Sequence, residues 1–356
     1  MTQGMPPTVG PATRHGLLAE VRDAVTPRAT LLVIGVVALQ LLFIASYVGA
    51  LHDPRPRDVP FGVVAPAAAA GRTVTALAEL PGSPLDPRPL ADEASARDQI
   101  LDRRIDGALI VDPARPTDTL LVASGGGTVL ATTLERLVGA VDGTRGRTVR
   151  TVDVAPASPE DFNGLSSFYL VVGWCVGGYL CASILAISTG ARPANPRRAV
   201  IRLAAMAAVA VVGGLGGALI VGPVLGALPG PVGALWGLGA LITFAVGAAT
   251  LALQGIFGIV GIGLAILVVV IAGNPSAGGA FPYPMLPPFW GTIGAALPPG
   301  AGTWAARSIA YFHGNALTGA LLVLSAWALG GILLTLLSSG LRRRRELVDA
   351  ATVQRR

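Results

Sequence analysis

Val232 to Gly273 reads VGALWGLGALITFAVGAATLALQGIFGIVGIGLAILVVVIAG, and how this run divides decides the fold. A bilayer-spanning helix needs about 20 apolar residues, and this stretch is roughly twice that. Gln254-Gly255 is its only polar, flexible break, so a tight turn is expected there, giving spans at 232–253 and 256–273. Outward from this pair, apolar runs of spanning length recur at 29–51, 165–188, 200–222 and 316–338, which makes six.

The whole composition agrees with a membrane protein. The chain of 356 residues is 52% hydrophobic and 13% charged, with mean hydropathy +0.65, whereas soluble domains carry roughly 25% charged residues. That excludes a purely soluble globular enzyme. All 26 basic residues are Arg, so a Walker A phosphate loop, which needs a Lys, is absent and the chain is not its own P-loop ATPase. The net charge of +6 would suggest nucleic acid in a soluble protein. Here the Arg residues flank apolar runs, which points to a membrane and to no nucleic-acid partner. Cys175 and Cys181 share one apolar run, where packing is expected and neither a disulfide framework nor a metal site is.

Orientation follows from Arg. Arg14, Arg22 and Arg28 precede the first run; Arg192, Arg197, Arg198 and Arg202 lie between the second and third; Arg342 to Arg345 follow the sixth. Six spans put all three clusters on one side, the cytoplasmic one by the positive-inside rule, with both termini inside. The first run outlasts the h-region of a cleavable signal (about 7 to 15 residues) and starts nearly thirty residues in, so it is read as an uncleaved anchor. The expected order is a cytoplasmic segment 1–28, a span 29–51, an extracytoplasmic domain 52–164, a five-helix membrane domain 165–338 and a basic cytoplasmic tail 339–356.

Segment 52–164 holds 16 of the 20 acidic residues and reads as a small α/β unit. Strands are expected at 59–65, 107–112, 119–124 and 149–154, with helices at 67–80, 91–104 and 128–142 covering one face of a mixed sheet. Pro81 to Pro89 (PGSPLDPRP) is expected to be a loop.

From Phe162 to Arg345 there is no Asp or Glu. Ion-coupled transporters commonly use an intramembrane carboxylate to load and release the coupling ion. Its absence, with only His15, His52 and His313 as histidines, argues against ion coupling, an intramembrane hydrolase or a metal centre. No catalytic residue and no cofactor is expected, and any pumping would draw its energy from a partner. Gly173/Gly177 and Gly213/Gly217 form small-xxx-small faces, open to packing within the chain or to dimerisation.

Residues 274–315 are the most distinctive stretch. Phe281, Tyr283, Phe289, Trp290, Trp304, Tyr311 and Phe312 alternate with Pro282, Pro284, Pro287, Pro288, Pro298 and Pro299. Repeated Pro prevents one continuous helix, and Trp and Tyr favour the headgroup level. Two readings stand: a broken, re-entrant lid over the outer mouth of the bundle, or a plain interfacial loop. On the lid reading Phe281, Phe289, Trp290, Trp304, Arg307 and Tyr311 form a substrate gate or binding site. Arg307, the only charge between Arg202 and Arg342, then meets a substrate anion or lipid phosphate; otherwise it snorkels to water. On the cytoplasmic side Gly16 to Val25 places Leu17, Leu18, Val21 and Val25 on one helical face. That helix and the loop carrying Arg192, Arg197 and Arg198 are the candidate contacts for a cytoplasmic subunit, with anionic lipid as the competing partner.

This arrangement resembles the ABC-2-type permease superfamily, and more narrowly its phage-infection-protein and nitrosoguanidine-resistance-like branch. The residues that carry the likeness are Asn274 to Gly279 (NPSAGG), Met285-Leu286-Pro287, Phe289-Trp290, Leu297 to Gly300 (LPPG) and Arg307 to Phe312 (RSIAYF). Pro60 to Val64 and Gly107 to Pro113 (GALIVDP) match more weakly. The layout agrees over nearly the whole chain, the specific wording over 274–315 only. The resemblance implies export of an amphipathic, lipid-like or drug-like compound by a permease that works as a homodimer or heterodimer beside a separate ATPase subunit. A rival reading makes the chain a non-transporting receptor or scaffold whose outer domain binds an external partner.

Overall fold

The computed structural model describes residues 26–354 and is mostly helical. The chain forms two units, Met1–Ala45 and Ser46–Arg356. Helix α1 (Pro27–Leu51) runs from the first into the start of the second. The proposed amphipathic helix with Leu17, Leu18 and Val21 lies outside the described residues.

Between α1 and the next long helix lies a five-stranded sheet in the order β2-β1-β3-β4-β5. Its elements are β1 (Val59–Val64), α2 (Ala67–Ala78), β2 (Leu85–Pro89), α3 (Glu93–Leu101), β3 (Gly107–Ile110), β4 (Thr117–Val122), α4 (Thr128–Thr144) and β5 (Thr148–Asp153). Only the β3–β4 pair is antiparallel. The Pro81–Pro89 stretch, expected to be a loop, contains β2. Pro87 pairs opposite Phe61, which is possible because β2 is an edge strand, where a missing N–H can face away from the ladder.

The helices cover both faces, not one. Right-handed crossovers explain this. The step β1→β2 runs one way along the sheet and β2→β3 returns the other way, so α2 and α3 fall on opposite faces. The β4→β5 step runs opposite to β1→β2, but on strands of reversed direction, so α4 joins α2. The packing follows. Val59, Phe61, Val63, Leu109, Leu120 and Val122 meet Leu77 of α2 and Leu130, Leu134 and Val138 of α4. Ala108 and Leu121, the alternate positions, meet Ala96 and Ile100 of α3.

At the end of α4, Asp142 is buried beside Asp118, which Arg147 grips through two nitrogens. Burial first, then the Asp118 charge, push the Asp142 carboxyl up to about 6. A raised carboxyl binds its proton more tightly folded than unfolded. It therefore favours folding below pH about 4 and loses that contribution as pH rises to about 6. Asp142→Asn should flatten the pH 4–6 slope of thermal unfolding without lowering stability at pH 7.5. An unchanged slope would show that Asp142 ionises normally.

The membrane part contains α5 (Ser166–Thr189), α6 (Pro196–Leu219, extended by a π turn Ile220–Val224), α7 (Val232–Phe257), α8 (Val260–Ile266, extended by a π stretch Leu267–Gly273), α9 (Pro288–Ala296), α10 (Pro298–Tyr311) and α11 (Thr318–Val353). Among the described residues five helices, α1, α5, α6, α7 and α11, are long and apolar enough to cross a bilayer, which makes this a multi-pass helical membrane protein. Their outward positions are apolar, as at Ile187, Val212 and Leu329, exposed by 74%, 72% and 65%; no water-soluble bundle would leave them so. Where helices cross closely, glycine removes the side chain. A Cβ on Gly178 of α5 would stand 2.6 Å from the Thr243 carbonyl of α7. The predicted small faces are mixed: a Cβ on Gly217 would run into the Trp174 indole nitrogen, whereas nothing lies within 4 Å of one at Gly173, Gly177 or Gly213, which line an open apolar groove of about 480 Å³.

The chain does not turn at Gln254-Gly255. Both are buried within α7, and Gly255 packs on Ser338 of α11. Gln is a good helix former, and an isolated Gly inside a well-packed helix is tolerated. The helix ends at Gly258, whose φ of +67° suits glycine and whose N–H bonds the Gln254 carbonyl at 2.8 Å. The apolar run that follows, Val260–Gly273, is too short to span as a single helix.

Candidate functional site

Gly258 lies against the Arg192 guanidinium, which donates to the Ile256 carbonyl at 3.1 Å, so α5 and α7 finish at the same end of the bundle. Arg197 and Arg198 are exposed at the start of α6, at that end too. Twenty-odd residues after Gly258 the chain is at the sheet. Met285 is buried in the core formed with α2 and α4, Phe281 packs against that core, and the Arg57 N–H donates to the Pro284 carbonyl at 2.9 Å.

From there α9 and α10 form a helical pair that dips into the bundle. The Trp327 indole donates to the Ala296 carbonyl at 2.9 Å. Trp327 lies about nine residues along α11 from Thr318, or ~14 Å at 1.5 Å per residue. The Trp304 indole instead donates to the Ala316 carbonyl at 3.0 Å, just before α11 begins. The bottom of the pair therefore sits well down α11, and α10 climbs back to its head. Small residues permit the descent: Gly302 rests on Val171 of α5 and Ile242 of α7, and Gly273 on Pro299. Pro298 to Ala306 is buried apart from Trp304, and Ala301, Ala305, Ala306 and Ile309 belong to the main bundle core. The segment is thus broken at its prolines into two short helices, and α10 packs inside the bundle and not as a plain surface loop. Its Ala/Gly content lets α10 pack as an interior wedge.

The candidate residues separate accordingly. Arg307, Tyr311 and Trp304 gather at the upper half of α10. Arg307 is 4% exposed and donates to three carbonyls, Gly278 (2.7 Å), Gly279 (2.8 Å) and Gly164 (3.0 Å), so it does not snorkel. Tyr311 donates to Asp161 at 2.9 Å, and the other Asp161 oxygen accepts the Ser166 N–H at 2.8 Å. That carboxylate thereby caps α5 and faces the favourable end of its dipole. Phe289 and Trp290 of α9 stand apart: Phe289 is 64% exposed and packs edge-on against Trp290, which lies near Gly49. Phe281 belongs to the sheet side, beside α4.

Sequence reasoning missed Arg103. It follows α3 with φ +57° and reaches α10, donating through Nη1 to the Trp304 carbonyl and the Ser308 hydroxyl, both at 2.8 Å. Its guanidinium lies 3.4 Å over the Trp304 ring and 4.7 Å from Phe312. Burial and the facing Arg307 pull it down to about 9, countered by Asp106, so it stays cationic at neutral pH. Burial lifts Asp106 to about 6 against the pull of Arg103. Asn315 completes the junction by donating to the Leu101 carbonyl at 3.1 Å.

These contacts fasten the sheet to both ends of the wedge, through Met285 before α9 and through Arg103 and Asn315 at the far end of α10. No family model, curated protein or solved structure matches this chain, and the geometry stands alone as the basis for its function.

Proposed function

We propose that the chain is the permease subunit of an ABC-2-type exporter, moving an amphipathic, lipid-like or drug-like compound outward with energy from a separate ATPase. The observation that carries this reading is the wedge α9–α10, a re-entrant pair just before the last span, in a bundle with no acidic residue from Phe162 to Arg345. A re-entrant backbone is tolerated at membrane depth only where protein or a water-filled path surrounds it, and such elements line translocation routes.

Six crossings follow on this reading. Gly258 and Met285 stand at opposite ends, and the chain joins them through α8, its π stretch and the turns at Asn274–Gly279, a broken crossing. The sheet is then extracytoplasmic, and Arg192, Arg197, Arg198 and the basic C-terminal tail are cytoplasmic by the positive-inside rule. The permease catalyses no covalent step. It works as a dimer, and its Arg192–Arg202 loop takes the push of the ATPase. Inverted vesicles carrying the chain and its co-encoded ATPase should take up a fluorescent amphiphile only with ATP. Uptake unchanged after removal of the ATPase would overturn the proposal.

On the rival receptor reading the sheet would bind an external partner; Met285 in the sheet core and the hydrogen bonds from Arg103 to α10 tie the sheet to the membrane helices on either reading.

A further inference from the structure

Between the sheet and α10 lies a cavity of about 180 Å³, lined by Pro60, Arg103, Asp106, Tyr283, Trp304 and Arg307 among others. Its charge is unbalanced: Arg103, Arg104 and Arg307 face it against the single carboxylate Asp106. Arg104 is paired outside with Asp102, which leaves Arg103 and Arg307 as the inward cations. Among the described residues Arg103 donates only through Nη1, and Arg307 only through its two Nη atoms, so both Nε–H groups and the second Arg103 Nη are uncommitted. The Tyr283 ring, stacked on Trp304 with centroids 6.1 Å apart, forms part of the wall. Two arginines with uncommitted N–H groups at one enclosed cavity call for an occupant that accepts hydrogen bonds and carries negative charge.

We infer that this cavity binds a phosphate group, gripped by Arg103 and Arg307. Guanidinium groups suit phosphate oxygens because their N–H groups form a planar, charged fork. The phosphate belongs either to a lipid headgroup or to a free ion. The inference deepens the exporter reading by naming the polar end of its cargo, but it is tested without the ATPase. Binding can therefore fail while ATP-driven uptake survives, or persist while uptake fails.

The experiment measures thermal unfolding of the purified chain in detergent with three probes: dihexanoyl phosphatidic acid, inorganic phosphate and uncharged dihexanoyl glycerol. The expected result is a saturable rise in Tm with phosphatidic acid and none with dihexanoyl glycerol. A rise with inorganic phosphate as well would assign the site to the free ion; a rise with the lipid alone would assign it to a headgroup. Arg103→Gln keeps an N–H for the Trp304 carbonyl but loses the charge, so it should weaken binding at least tenfold. No rise with either phosphate probe on the native chain would overturn the inference, as would a folded Arg103→Gln variant that binds as tightly as the native chain.

Discussion

Gly294→Ala should destabilise the folded chain by about 3 kcal/mol or more, although in an isolated helix the same change would stabilise by about 1 kcal/mol. The opposing terms are easily ranked. A Cβ on Gly294 would run into the Ser276 carbonyl, an obstacle made of backbone that cannot rotate aside, with the Tyr283 ring 3.0 Å away. The next turn is as tight, since a Cβ on Gly300 would strike the Gly294 carbonyl. The clash therefore outweighs helix propensity, and the wedge cannot seat. Gly263→Ala is the control. It lies in α8 with nothing within 4 Å of the added methyl and should be neutral or mildly stabilising. Thermal unfolding in detergent reads both; equal midpoints for the two variants would mean that α9 does not approach the Asn274–Gly279 turns as described.

Arg307→Met is expected to be almost as damaging, at about 3 to 5 kcal/mol. The native guanidinium satisfies the carbonyls of Gly164, Gly278 and Gly279 inside the protein. Met fills much of the space but donates nothing, leaving three buried acceptors without a partner. Arg307→Lys should recover only part of the loss, because one ammonium cannot reproduce the planar fork that reaches three carbonyls. A surface Arg that snorkels to lipid would change stability by less than about 0.5 kcal/mol on the same substitutions. The distinction matters for function: activity lost in Arg307→Met has to be normalised to folded protein before any role in transport is assigned to this residue.

Hydropathy made the long helices legible, because nothing but lipid exposure explains side chains such as Ile187 and Leu329. Four of the five strands were legible from β-branched runs bounded by Pro, Gly or Asp. The fifth, Leu85–Pro89, was hidden by prolines that an edge position tolerates. The division of the 232–273 run was misplaced because polarity drew attention to Gln254, while the turn required the positive φ that Gly258 supplies. At the site, the aromatic and proline pattern flagged α9 and α10, and Trp304, Arg307 and Tyr311 all lie on α10. Arg103 was invisible: it meets Trp304 and Ser308 across some two hundred residues, and local periodicity carries no record of so distant a partner.

The core of the proposal is that a bundle without an internal carboxylate depends on a neighbour for its driving force. Reconstitute the purified chain alone in liposomes, impose a pH or sodium gradient, and follow a fluorescent amphipathic anion. No uphill accumulation is expected under either gradient, with accumulation appearing when the ATPase and ATP are added. Uphill accumulation by the lone chain, driven by either gradient, would contradict it.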